Sequence, residues 1–326
     1  MARLAPLAVT MGDPAGIGPE LVAKAGLPPF YWLGDAATIT ALADVPVARI
    51  DAPAAAAAAF ANALPVLALP LAVMATPGQP DAANAPAVLA AIEQAVAQAR
   101  AGAAAAVITA PVAKHVLYQA GMTHPGQTEL LAHLCGLAAE DVAMMLAAPA
   151  LKVVPLTIHE PLRAVPDLIS RDLIVRRARI VHRALQRDFG LTAPRLAITG
   201  LNPHAGEKGT LGREEIDVIV PAVAALVAEG VTVSGPHAAD SLFHAQARAG
   251  YDVALTMYHD QALIALKTLD FHGGVNCSLG LPIIRTSPDH GTAFDIAGQG
   301  RANPASFIAA LSLAGKMAAA RLRHDG

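Results

Sequence analysis

Short apolar segments of strand-like composition alternate along this chain with longer segments of helical spacing, and that alternation sharply limits the fold. Leu7 to Thr10 reads as a first strand, followed by a Gly/Pro turn and a helix beginning near Pro19, a residue suited to a first helical turn. Pro65 to Met74 reads as a strand, Pro86 to Ala101 as a helix with Asn84 as a nearby cap, and Ala105 to Thr109 as the next strand. Asp172 to Phe189 is amphipathic and stops at Gly190; Glu214 to Glu229 is a second such helix, interrupted by Pro221. This βαβα order predicts an α/β fold, a mainly parallel sheet covered by helices.

The 326 residues are enough for two domains or one large α/β unit. No Pro/Ser/Gly linker divides them, so two domains with intertwined segments are expected rather than two in series. The tract Ala54 to Ala59 is low in complexity and is read as compositional drift. The formal net charge is −3 and no run of Lys or Arg occurs, which argues against a nucleic-acid or anionic-membrane partner. Two cysteines, Cys135 and Cys277, make no disulfide framework and fit a reducing cytoplasm. Ala52 to Pro80 carries no charge, but Pro53, Pro65, Pro70 and Pro77 interrupt it, so no membrane span is expected there. The stretch Leu4 to Met11 after Arg3 is short, contains Pro6 and reads as a strand, not a secretory signal.

Three histidines each follow a strand-like run: His159 after Leu151 to Ile158, His204 after Leu196 to Pro203, and His259 after Val253 to Tyr258. Open α/β sheets bind ligands beyond the carboxyl ends of their strands. Imidazoles delivered to that edge would suit a divalent metal, and three protein ligands leave coordination positions open for chemistry. The alternative is three unrelated polar residues at strand ends.

The segment Arg285 to Pro304 contains Gly291, Gly298 and Gly300, which permit close backbone approach to a ligand, and Asp295, whose carboxylate can accept from ribose hydroxyls. By itself it reads first as a structural turn, and G-x-G-x-x-G is absent.

The pattern His290-Gly291-Thr292-Ala293-x-Asp295-Ile296-Ala297-Gly298-x-Gly300-x-Ala302-Asn303-Pro304 resembles the adenosine-binding loop of isocitrate and isopropylmalate dehydrogenases, and Gly12 to Glu20 is similar to their first strand-turn-helix. The 4-hydroxythreonine-4-phosphate dehydrogenases of vitamin B6 biosynthesis are matched more fully. The resemblance rests on Gly12 to Glu20, Thr109 to Lys114, Pro125 to Glu129, His159 to Pro166, Leu201 to Glu207, Tyr258 to Gln261 and Gly274 through Asn303, in family order.

That resemblance implies an isocitrate/isopropylmalate dehydrogenase-like fold of two α/β/α domains with a cleft between them. The expected division is 1–125 with 285–326, carrying the cofactor loop, and 126–284, carrying the metal and dimerisation residues. His159, His204 and His259 would bind one divalent metal (Zn, Co, Ni, Mg or Mn) in a homodimer whose active site is shared across the interface, one histidine coming from the partner subunit. Gln127, Thr128, Lys267, Asn276 and Arg285 match substrate-contacting positions, although the family usually has histidine in place of Gln127. Gly291, Asp295 and Asn303 would bind NAD or NADP, with NAD at least as good because Asp295 would repel a 2′-phosphate. Lys114 and Asp260 are the candidates for general base. The implied reaction is NAD(P)-dependent oxidation of 4-phosphooxy-L-threonine to 2-amino-3-oxo-4-phosphooxybutanoate, which decarboxylates to 3-amino-2-oxopropyl phosphate. The competing readings are a paralogous dehydrogenase of another phosphorylated hydroxy acid, such as threonate or erythronate 4-phosphate, or of a cyclic diol. From other classes come an acyl-phosphate transferase on a related fold and a nucleotide-binding protein without catalysis.

Overall fold

The computed structural model describes residues 4–24, 29–42, 46–124 and 126–326; Arg3 and Pro125 of the segments above lie outside them. The chain divides into two compact units, Met1–Ala139 with Leu281–Leu322, and Glu140–Gly280 with Arg323–Gly326. The division thus falls after Ala139 and Gly280, where sequence placed it after 125 and 284.

In the first unit the strands are β1 (Leu7–Thr10), β2 (Phe30–Gly34), β3 (Val47–Arg49), β4 (Leu64–Ala68) and β5 (Val107–Thr109), joined by a late strand, Arg285–Pro288. They lie in the order β3-β4-β2-β1-β5 and then Arg285–Pro288, each pair parallel. Leu7 to Val9, Tyr31 to Leu33 and Val107 to Ile108 are almost wholly buried, as expected of parallel strands covered on both faces. The helix Ala85–Arg100 buries Val88, Ala91, Ile92, Ala95 and Val96, an i, i+3, i+4 stripe.

Two expectations fail here. The strand from Pro65 ends at Ala68 rather than Met74; the Leu69 amide still donates to the Gly34 carbonyl of β2 at 3.0 Å, and Pro70, lacking an N–H, carries the ladder no further. Asn84 precedes the helix but makes no side-chain cap; its Oδ1 accepts from the Val73 amide, 3.1 Å away.

The second unit contains β6 (Ala143–Ala148), β7 (Leu151–Pro155), β8 (Arg195–Thr199), β9 (Thr232–His237), β10 (Val253–Thr256) and β11 (Val275–Leu279); the late strand of the first unit is therefore β12. The order is β11-β6-β7-β10-β8-β9. β6 is antiparallel to both neighbours, turning into β7 through Pro149 and Ala150, while β7, β10, β8 and β9 run parallel. The helix Arg171–Arg187 covers this sheet with Ile174, Val175, Ala178, Val181 and Leu185, and Ser170 caps it by accepting from the Leu173 amide. The segment from Glu214 opens with a π-turn, Glu215–Ile219, and becomes α-helical at Val220–Ala228, so Pro221 falls in a first helical turn and interrupts nothing.

Among the described residues one helix, Ala305–Asp325, is long and apolar enough to cross a membrane. Phe307, Ala310, Leu311, Ala314 and Met317 are buried in the protein, which accounts for its apolar face.

Candidate active site

Parallel pairing in the second unit decides where the histidines go. Pro155 of β7 lies opposite Thr256 of β10, and Leu255 of β10 opposite Ile198 of β8. The three strands therefore end at one edge, and the segments leading to His159, His259 and His204 all leave from it. Within the chain, the rings of His159 and His259 are 6.0 Å apart, centroid to centroid. His204 does not complete a cluster with them: among the described residues no group of three His, Cys, Asp or Glu side chains is close enough to hold a metal ion.

His259 opens the helix His259–Leu269, which Ala262 and Leu266, both fully buried, fix against β7 and β10. Its Nδ1 is 2.7 Å from Asp260 Oδ1. A carboxylate only accepts, so Nδ1 carries the hydrogen and Nε2 keeps the lone pair in the neutral ring. Gln261 adds a second constraint. Its Oε1 accepts from Thr199 Oγ1 at 2.7 Å and the Met257 amide at 2.8 Å, and its Nε2 donates to the Gly200 carbonyl at 2.9 Å. One side chain thus ties the ends of β8 and β10 together. Lys267 lies on the same helix, its Nζ 5.7 Å from the Phe271 ring centroid. Asn276, on β11, holds a buried Oδ1 with no hydrogen-bond partner, a polar atom suited to a ligand.

The remaining candidates belong to the first unit. Arg285, the first residue of β12, is 3% exposed. Its Nη2 donates to Thr109 Oγ1 and to Gln127 Oε1, both at 2.6 Å. Gln127 is the first residue of the helix Gln127–Leu134, and the capping position is Gly126. Thr128 follows on the same helix, half-buried. Lys114 is exposed at the start of Lys114–Gln119, and a Cβ on Gly126 would come within 3.5 Å of its Nζ.

Three motifs far apart in sequence converge in this unit. Gly12 has φ +66°, and a Cβ there would meet the Pro111 carbonyl at 2.5 Å. The Ile17 amide donates to the Thr292 carbonyl at 3.0 Å. Glu20, buried, accepts from the Gly298 amide, and Lys24 Nζ donates to the Gly300 and Ala302 carbonyls, both at 2.9 Å. The Gly-rich loop is therefore clamped from Thr292 to Ala302 by the N-terminal motif and Lys24. Within it Asp295 is exposed, Gly291 has open space around it, and Asn303 Oδ1 accepts from the Ala305 amide, starting the last helix. Glu20, Thr109 and Gln261 stand inside the sequence motifs above with no role attached, and Lys24 stands outside them. For Gln261, two residues beyond His259, nearness to a candidate ligand was the available signal; Glu20, Lys24 and Thr109 lie more than a turn from every candidate and carried none.

The description "pyridoxal phosphate biosynthetic protein" (PdxA) fits residues 27–314 of this chain. The chain belongs to that family. A 4-hydroxythreonine-4-phosphate dehydrogenase of Erythrobacter litoralis is 55% identical over 329 residues, covering 97% of each chain. The crystal structure of the 4-hydroxythreonine-4-phosphate dehydrogenase of Klebsiella pneumoniae superposes with a TM-score of 0.87 at 40% identity, covering 96% of this chain and 99% of that one. A more distant member of the same structural group is a terephthalate 1,2-cis-dihydrodiol dehydrogenase of Burkholderia xenovorans, with a TM-score of 0.68 at 31% identity, 96% of this chain and 98% of that one being covered. Membership in the PdxA family makes this chain a dehydrogenase of pyridoxal phosphate biosynthesis.

Proposed function

We propose that this chain oxidises 4-phosphooxy-L-threonine with NAD or NADP at C3, giving 2-amino-3-oxo-4-phosphooxybutanoate and a reduced nicotinamide. Loss of CO2 then gives 3-amino-2-oxopropyl phosphate. The observation that carries this reading is the pair His159–His259 at the shared strand edge, in a chain 55% identical to a dehydrogenase of that name.

The donor set fits a divalent metal. Two imidazoles lie close together, and Asp260 fixes the tautomer of one of them, a common arrangement behind metal-bound histidine. His159 and His259 would hold the ion with His204 of a second copy, since the chain alone does not bring His204 to the pair. A divalent cation there would supply Lewis acidity for loss of the hydroxyl proton and for the charge that develops as CO2 leaves. We assign Asp260 to orienting His259, because its Oδ1 is engaged there; Lys114 remains the candidate for proton transfer.

Arg285 suits a phosphate or carboxylate, which guanidinium can bind through two parallel bonds, and Gln127 and Thr109 hold its orientation. Lys267 supplies a second cation, and Asn276 and Thr128 supply neutral polar groups. Gly291, Asp295 and Asn303 lie on or beside the clamped loop, which we assign to the nicotinamide dinucleotide. The active species is a homodimer, with a small phosphorylated substrate and no nucleic-acid or membrane partner. We place it in the cytoplasm, where Cys135 and Cys277, both free and buried, would stay reduced.

The test is a substrate panel with metal-stripped protein, NAD and NADP in turn, and Zn, Co, Ni, Mg or Mn added back. Reduced nicotinamide should form fastest with 4-phosphooxy-L-threonine, only with metal, and with NAD at least as efficiently as NADP. Faster turnover of threonate or erythronate 4-phosphate, or of a cyclic dihydrodiol, would overturn the substrate assignment.

A further inference from the structure

The chain beyond β8 takes a rare path. His204, Ala205, Gly206, Glu207 and Lys208 all have left-handed backbone, with φ of 52°, 50°, 77°, 42° and 57°. Only one of the five is glycine, and each Cβ in this conformation crowds the following carbonyl. Such a run persists only where its surroundings over-determine it.

Glu215 provides that constraint. It is 2% exposed, at the first position of the π-turn. Its Oε1 accepts from the backbone amides of Leu201 and Asn202, both at 2.8 Å. Its Oε2 accepts from Asn202 Nδ2 at 3.0 Å, while Glu214 Oε2 accepts from the same nitrogen at 2.7 Å. A Cβ on Gly206 would overlap Glu215 Oε2, and one on Gly200 would lie 3.1 Å from Oε1. The left-handed turn is closed on itself by Ala205 N–H to the Asn202 carbonyl and Leu211 N–H to the Gly206 carbonyl, each 3.1 Å. Glu215 therefore fixes both the entry to the turn and the glycine at its centre, and His204 lies between those two points.

We propose that Glu215 is a positioning residue for His204: its buried carboxylate holds the left-handed turn in which His204 serves as metal ligand. This rests on the reading of His204 as a ligand. Glutamate is required for its reach and for two oxygens that both accept. Glutamine would keep the reach but set an NH2 against Asn202 Nδ2, donor against donor.

The experiment compares wild type, Glu215→Gln, Gly206→Ala and His204→Ala as full-length dimers stripped of metal, with Co2+ as probe. Equilibrium dialysis gives affinity, the visible spectrum of bound Co2+ reports ligand geometry, and circular dichroism and Tm report folding. Glu215→Gln should fold, weaken Co2+ binding by about tenfold or more, and alter the spectrum. Gly206→Ala, which pushes on the same carboxylate, should do likewise. Wild-type affinity and spectrum in Glu215→Gln, whatever its Tm, would overturn the proposal while loss of binding in His204→Ala left the metal reading intact. Wild-type binding in His204→Ala would overturn both. Failure of both Glu215→Gln and Gly206→Ala to fold would assign Glu215 to stability alone and also overturn it.

Discussion

Gln127 and Arg285 share a short hydrogen bond, and its direction fixes what a substitution should do. Gln127 Oε1 accepts from Arg285 Nη2, so Gln127→Ala removes an orienting acceptor and leaves the guanidinium charged. If Arg285 binds the substrate anion, KM should rise several-fold with kcat less affected, because charge is kept and orientation is lost. Steady-state kinetics with 4-phosphooxy-L-threonine checks this; an unchanged KM would remove Gln127 from the site. A second residue-scale prediction concerns Asp13. Burial pushes its carboxyl above the usual range, against the opposing pull of the Ala15 amide and nearby His115. A carboxyl whose pKa is raised on folding holds its proton more tightly in the folded state. Its stabilising contribution is present below the unfolded value near 3.8 and is lost as pH rises through the folded one. Asp13→Asn cannot titrate, yet its Oδ1 can still accept from Ala15. The Tm difference, variant minus wild type, should therefore grow more positive from about pH 4 upward. A difference flat with pH would contradict the burial argument.

At the scale of elements, Ser170 offers the cleanest test. Its Oγ accepts from the Leu173 amide at the start of Arg171–Arg187. Ser170→Ala should cost about 1 kcal/mol of unfolding free energy in urea, without change in KM. This helix was also the best read from sequence, expected from Asp172 to Phe189 and found from Arg171 to Arg187, because its apolar stripe is regular and Gly190, at φ +70°, ends it. β1 was equally legible, lying between Pro6 and Gly12 with all four residues buried. The strand beginning near Pro65 was read too long because an apolar run does not say where a ladder stops. The histidine edge was visible as three similar segments, since β7, β10 and β8 are adjacent and parallel. Glu215 was not visible: a glutamate in a helical pattern reads as surface, and only the packing of 201–206 around it makes it internal. Nor could spacing show that His204 begins a left-handed turn, because most of its residues carry side chains that disfavour one.

At the scale of the molecule, a shared metal site predicts complementation. His204→Ala and His259→Ala should each be inactive as homodimers. After subunit exchange in equal amounts, half the dimers are hybrids with one intact site of two, so about a quarter of wild-type activity should return. No recovery after exchange verified by mass spectrometry would count against His204 and His259 coming from different subunits. The division of the chain has a further consequence, in the order of synthesis. The second unit is almost one continuous stretch, Glu140–Gly280, whereas the first lacks β12 and most of its last helix until Leu281–Leu322 has been made. The clamp from Glu20 and Lys24 onto Gly298, Gly300 and Ala302 must also wait for those residues. Domains emerging from the ribosome generally fold from the N-terminus onward. Here the part begun first is finished last, so the Gly-rich loop and the helix after it are the last pieces set in place, and a chain cut short before β12 would carry all three histidine-bearing strand ends with its first unit unfinished.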